Sequence, residues 1–239
     1  MVKTKQIPLQ FEPIPCLGRE DFMVNKSNAE AVSMINLWPD WPFFALCIYG
    51  PQGSGKTHLA NIFAQHVYKI TNHPYKIPSI EASEINMDSP HRLFEQSRCL
   101  IVENIRENIN QEAMFHLYNL YRNEGGNILF TAQIPLARMN FSLKDLQSRL
   151  NIIPAVELKA PDDELLSTIL IKLFSDRQMT ISPEILSYII NNMQRSNAYA
   201  IKLIAEIDNI CLARKRAISI PIVKEALESV NNCYQGELF

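Results

Sequence analysis

A chain of 239 residues, 47% of them hydrophobic, has apolar mass enough for one large domain or for a core with a smaller second domain. Its formal net charge of −2 excludes a general polycation that wraps nucleic acid, so DNA is expected as a partner only indirectly. Five scattered cysteines (16, 47, 99, 211 and 233) with no C-x-x-C spacing argue for a reducing compartment and against structural zinc. Met1 to Lys5 lacks the apolar stretch of a secretory signal and no run reaches membrane-spanning length, so a cytoplasmic location without membrane contact is expected.

Residues 1–17 hold Pro8, Pro13 and Pro15 among isolated apolar side chains and read as an extended arm. Ser27 or Asn28 can cap a helix through about Asn36, which Trp38-Pro39-Asp40-Trp41-Pro42 brings to a stop. Phe43 to Tyr49 is an apolar run fit for a buried parallel strand. It leads into Gly50-Pro51-Gln52-Gly53-Ser54-Gly55-Lys56-Thr57, which fits G-x-x-x-x-G-K-[ST]. In such a phosphate loop the glycines let backbone N–H groups approach phosphates, and lysine reaches the β- and γ-phosphates. Thr57 can ligate Mg²⁺. The helical pattern from Thr57 to Ile70 sets its positive dipole end on that loop.

Tyr75 to Ala82 is a weaker strand, broken by Pro78, and Pro90 opens a short helix over Ser89 to Gln96. Cys99-Leu100-Ile101-Val102-Glu103-Asn104 is the third strand. In ATPases of this shape a strand end supplies one acid over Mg²⁺ and, beside it, a carboxylate that polarises the attacking water. Glu103 can take the magnesium role. Asn104 can hold a water but cannot accept its proton, which predicts nucleotide binding with weak or absent hydrolysis by this chain alone. Gln111 to Arg122 is helical and closed by Gly125-Gly126. Asn127 to Gln133 is a fourth strand, ending where Gln133 could sense a γ-phosphate, and Ile153 to Leu158 a fifth. Between them lies Leu143-Lys144-Asp145-Leu146-Gln147-Ser148-Arg149-Leu150, with Arg149 placed as an arginine finger for a neighbouring subunit's nucleotide. As a plain surface arginine it would need no such role.

Strands alternating with helices predict an α/β core with a parallel five-stranded sheet covered on both faces. Past Pro161 the chain turns helical: Asp162 or Asp163 to Asp176, a helix capped by Ser182 with Pro183 at its first position, Asn197 to Arg216, and Pro221 to Asn231. Arg214-Lys215-Arg216 reads as a solvated helix end. The expected division is an arm over 1–17, a nucleotide-binding core over 18–160, a helical lid over 161–234 and a tail over 235–239.

The order of phosphate loop, Glu-Asn strand, Gln133, Ser-Arg149-Leu and helical lid resembles the AAA+ P-loop NTPase module of the Hda/DnaA-like family, and more closely its shortened Hda-type regulators. Gly18-Arg19-Glu20-Asp21-Phe22, the Trp38 to Pro42 segment and Ile220-Pro221-Ile222-Val223-Lys224-Glu225 add to the likeness, which spans about residues 6–230. The resemblance implies negative regulation of replication initiation: a protein bound to ADP or ATP with Mg²⁺ and to the DNA polymerase sliding clamp stimulates ATP hydrolysis on the DnaA initiator. By this likeness Arg149 is the finger delivered to DnaA, and Gln6, Leu9 and Phe11 of Gln6-Ile7-Pro8-Leu9-Gln10-Phe11 form a clamp-binding peptide. Gln235-Gly236-Glu237-Leu238-Phe239 resembles a second one. The chain departs from the family at Glu103 and Gln133, where Asp is usual, and at Ala198, where a lid arginine is expected and Arg195 is the nearest basic residue. Rival readings are an independent ATPase of helicase-loader type, a DNA-binding initiator (for which a helix-turn-helix module after the lid finds no room) and a pseudo-enzyme kept for its contacts. Self-association is a further possibility.

Overall fold

The computed structural model describes residues 22–72 and 77–236, and two compact units divide between Ala160 and Pro161. In the first unit the chain runs α1 (Ala29–Asn36), β1 (Ala45–Tyr49), α2 (Lys56–Thr71), β2 (Ser79–Glu81), α3 (Ser89–Gln96), β3 (Cys99–Ile105), α4 (Gln111–Asn123), β4 (Asn127–Ala132), α5 (Lys144–Leu150) and β5 (Ala155–Glu157). The strands form one five-stranded sheet in the order β2-β3-β4-β1-β5, and every pairing is parallel. This is the α/β architecture that the alternating elements predict.

Side chains that alternate along a strand fill opposite faces of a sheet. Ala45 and Cys47 of β1, Leu100 and Val102 of β3, and Ile128 and Phe130 of β4 belong to one buried cluster, with Met114, Leu117 and Tyr118 of α4. Leu46 and Ile48, Cys99 and Ile101, and Leu129 belong to the other, with Leu59, Phe63 and Val67 of α2. Both faces are covered at the middle of the sheet, so β1, β4 and the first four residues of β3 are buried along almost their whole length and not alternately polar. The two tryptophans of the Trp38 to Pro42 segment brace α2 from this second face. Trp41 stacks on Phe63 at 5.2 Å, and Trp38 meets the same ring edge-on while its Nε1 donates to Asn127 Oδ1. The helix that opens at the phosphate loop is therefore braced at Phe63 and His66. Cys47 and Cys99 lie in this interior, and burial pushes both thiols up to about 12, which leaves them as inert apolar filling.

The second unit contains α6 (Asp163–Asp176), α7 (Pro183–Asn192), α8 (Asn197–Arg214) and α9 (Ile220–Gly236) around its own core, centred on Leu170, Phe174, Tyr199, Leu203 and Val223. Caps set its helix starts: the side chains of Asp162, Ser182 and Ser196 each accept a bond from a backbone N–H three residues on.

Several local expectations are corrected. β2 holds only three residues, because Pro78 precedes it and Ala82–Glu84 turn into a 3₁₀ segment; Tyr75 lies outside the described residues. The stretch before β5, for which the sequence pattern names no element, forms a helix, α5, with Leu146 and Leu150 buried. α8 stops at Arg214, since Lys215 takes a left-handed φ of 51°, and α9 runs past Asn231 to Gly236. Asn28 heads α1, yet its amide points backwards, accepting from Asn25 N and donating to Met23 O.

Candidate functional site

In a parallel sheet all carboxyl ends of the strands lie along one edge, and ligands bind outside that edge. Here the register aligns Tyr49 with Ala132 and Glu157, and Glu81 with Glu103. The loop Gly50 to Thr57 leaves this edge at the end of β1. It is tied down on both sides: Gly50 N donates to Ala132 O, and Leu158 N donates to Tyr49 O. Gly50 has no room for a side chain, since a Cβ there would meet Leu158 O at 2.1 Å. Gly55 caps α2 at φ 103°, in the left-handed region that glycine alone enters freely. The loop thus presents backbone N–H groups at the start of a 16-residue helix. Pro51 and Gln52 are exposed at its rim.

Lys56 is nearly buried, and its Nζ donates to the carbonyls of Gly50 and Pro51, each at 2.8 Å. Burial lowers its pKa below the ordinary lysine value. An ammonium held by neutral carbonyls in a desolvated pocket is a favourable partner for an anion. Ser54 Oγ, in the same loop, is buried and has no hydrogen-bond partner among the described residues.

Thr57 Oγ1 donates to Glu103 Oε2 at 2.8 Å, and Ser79 Oγ donates to Glu103 Oε1 at 2.7 Å. The two residues named for magnesium from the sequence, 46 positions apart, are in direct contact. A hydroxyl and a carboxylate side by side are the hard oxygen donors that Mg²⁺ takes. Next to them β3 departs from regular pairing, with a register shift between Val102 and Ile105. Asn104 sits in that irregularity at φ 55°, a conformation that asparagine tolerates better than most residues. Its N–H donates to Thr131 Oγ1, and its side-chain Nδ2 donates to both carboxylate oxygens of Glu81, at 2.9 and 3.1 Å. Glu81 and Ser79, which the structure brings to Asn104 and Glu103, are not among the residues the sequence points to. The rule that functional groups gather at the carboxyl ends of parallel strands would have marked Glu81, had the end of β2 been located in the sequence.

Gln133 is exposed immediately past β4. Arg149, on α5, is half-buried and lies across the aromatic face of α4, its guanidinium carbon 5.8 Å from the Phe115 ring centre and 5.9 Å from that of Tyr118. In the helical unit Ala198 is exposed, and Arg195 pairs with Asp163 at 2.7 Å. Arg214 bonds Glu225, and Lys215 caps α8, as befits a solvated helix end. Gln6, Leu9, Phe11 and residues 237–239 lie outside the described residues. Among the described residues no helix is long and apolar enough to cross a membrane, and no group of three or more His, Cys, Asp or Glu is arranged to hold a metal ion.

Comparison with known proteins bears on this arrangement. The family described as the bacterial DnaA ATPase domain matches residues 18–156, and the one described as the Hda lid domain matches 163–227. An uncharacterized protein of Haemophilus influenzae is 25% identical over 230 residues, covering 93% of this chain and 98% of that relative. The chromosomal replication initiator protein DnaA of Tropheryma whipplei is 23% identical over 230 residues, covering 88% of this chain but 48% of its own length. The chain thus spans about half the length of the DnaA relatives it matches. In fold it is similar to domain III of Thermotoga maritima DnaA, with a TM-score of 0.75 at 19% identity, covering 90% of this chain and 97% of that one. It is also similar in fold to AMPPCP-bound DnaA from Aquifex aeolicus, with a TM-score of 0.64 at 19% identity, covering 84% and 68%.

Proposed function

The chain belongs to the DnaA-like family of AAA+ proteins, with an Hda-type lid, and from that membership we propose that it is a nucleotide-binding adaptor that restrains replication initiation. In this reading the loop Gly50 to Thr57 of the core over 18–160 holds ADP or ATP, a helical lid follows over 161–234, and the arm over 1–17 docks on the sliding clamp. Arg149 is delivered into the nucleotide site of DnaA. The protein works in the cytoplasm, reaching DNA through the clamp.

The observation that carries the reading is the contact of Thr57 with Glu103 behind a complete phosphate loop, in a chain whose second unit matches the Hda lid. The loop N–H groups and Lys56 suit a polyphosphate, and Gln133 is near enough in sequence to the end of β4 to face a γ-phosphate. Phosphate oxygens are stronger acceptors for the Lys56 ammonium than the neutral carbonyls it now bonds. Thr57 and Glu103 would hold Mg²⁺, which supplies charge neutralisation between phosphates. A protein of similar fold supports the reading, since the Aquifex aeolicus DnaA is bound to AMPPCP.

The finger role rests on Arg149. Its guanidinium is laid against the rings of Phe115 and Tyr118, beside which it is held for contact with a partner. An arginine supplied in trans is worth about 10³–10⁵ in rate. The deciding experiment reconstitutes DnaA, DNA-loaded clamp and ATP and follows phosphate release. The wild-type chain accelerates release, while Arg149→Ala binds the clamp equally and gives no acceleration. Equal acceleration by the variant removes Arg149 from the mechanism.

A further inference from the structure

We propose that Gln111, the first residue of α4, is a positioning residue for Arg149: it caps α5 from outside that helix and so fixes where the guanidinium is presented. The inference deepens the reading of Arg149 as a finger and rests on it. A finger works only if its charge arrives in the right place at the transferring phosphoryl group. What holds the helix beneath it therefore matters as much as the arginine itself.

α5 lacks the means to hold itself. It has seven residues, Lys144 to Leu150, and so short a helix is unfavourable in water. Its start also lacks a local cap. Leu143 stands at the N-cap and has no side-chain oxygen to offer. In a capping box the third helical residue is Glu or Gln and reaches back to the N-cap N–H. That position here is Leu146, which is buried. The glutamine that follows it, Gln147, accepts from Phe141 N through Oε1. The N-cap N–H is taken up by a different helix. Leu143 N donates to Gln111 Oε1 at 2.8 Å, and Ser142 Oγ donates to the same oxygen at 3.1 Å.

Gln111 is itself held. Its Nε2 donates to Glu107 O at 3.0 Å, and Glu107 Oε1 accepts from Asn140 N at 2.7 Å. The segment between β3 and α4 thus grips the approach to α5 beside Gln111. Residues 111, 115 and 118 follow one another at helical spacing and share a face of α4. Gln111 receives the start of α5, and the rings of Phe115 and Tyr118 receive Arg149 from its last turn. Both ends of the short helix rest on one longer one, which is anchored by buried Met114, Leu117 and Tyr121 and capped by Asn110. Without the first anchor, α5 frays from its start and Arg149 loses its fixed base.

The test compares Gln111→Leu, which keeps the bulk and helix propensity but offers no acceptor, with Gln111→Glu, which keeps an accepting oxygen. In the reconstituted reaction with DnaA, DNA-loaded clamp and ATP, Gln111→Leu should lower the maximal rate of phosphate release by about 10-fold or more, toward that of Arg149→Ala. The concentration of the chain giving half-maximal release should stay unchanged, as expected when only a transition-state contact is lost. Gln111→Glu should restore most of the rate. A general disturbance of the fold would move the half-maximal concentration too, and Glu would not rescue it. Amide hydrogen exchange gives a readout that needs no DnaA: residues 143–150 should exchange faster in Gln111→Leu, with 114–123 and the 50–57 loop unchanged. If Gln111→Leu melts well below the wild type, Glu107→Leu, which removes the acceptor of Asn140 N, carries both readouts in its place. The proposal is overturned if exchange over 143–150 does not change, if Gln111→Leu stimulates as the wild type does while Arg149→Ala does not, or if Gln111→Glu is as impaired as Gln111→Leu. Equal stimulation by Arg149→Ala and the wild type would instead refute the finger reading, and this inference with it.

Discussion

Replacing Gly50 by alanine probes how tightly the loop is seated. The added Cβ would lie 2.1 Å from Leu158 O, 3.1 Å from Leu158 C and 3.2 Å from Ser54 Oγ. Cβ atoms keep at least 3.0 Å from such neighbours, and the nearest here is backbone, which cannot rotate away. Either the segment after β5 or the loop itself must shift. The second movement would loosen the Gly50 N to Ala132 O bond and the Lys56 Nζ to Gly50 O bond, which share that residue. Overpacking of this kind costs about 1–3 kcal/mol. For a domain of this size each kcal/mol lowers Tm by about 2–4 °C. A loss of about 2–12 °C is therefore expected by circular dichroism, with weakened ATP binding in calorimetry, because the clash lies within the phosphate loop. A variant that melts with the wild type and binds ATP equally would show that the loop is not seated against Leu158 as described.

Further outcomes are expected. Burial depresses the Lys56 pKa in the folded chain, so this residue's contribution to stability is present above the ordinary lysine value of 10.5 and is lost as pH falls through the lowered one. A polyphosphate beside Lys56 raises that pKa again; ATP binding at a pH between the lowered value and 10.5 should take up protons, seen as a buffer-dependent calorimetric heat that Lys56→Met abolishes. Asn104→Val should destabilise by about 1–2 kcal/mol in urea unfolding, because a β-branched residue is forced to φ 55°. Leu9→Ala with Phe11→Ala should abolish clamp binding in surface plasmon resonance while leaving ATP affinity unchanged, whereas deletion of 235–239 tests the second peptide in the same assay.

Much of this protein is legible without coordinates. The buried strands at 45–49, 99–105 and 127–132 announce themselves as apolar runs because both their faces are covered. The phosphate loop is legible for a different reason: its glycines and lysine act through eight consecutive residues, so sequence order and spatial order coincide. Helix starts at Asp162 and Ser182 are equally local, since a cap reaches three residues. Where the reading slipped, the deciding force came from elsewhere in the chain. Seven residues do not hold a helix on their own, and α5 exists because Leu146 and Leu150 are buried.

The same division runs through the site. Residue types alone placed Thr57 and Glu103 as magnesium ligands, and the fold sets the two side chains against each other. Glu81 was invisible to that reasoning. It sits on a three-residue strand, and its relation to Asn104 depends on strand order, on parallel register and on one irregular step in β3. A sequence states which groups can bind, donate or accept. Which of them meet across 23 positions is settled by sheet pairing, because hydrogen-bonded register, not chain proximity, fixes what stands beside what.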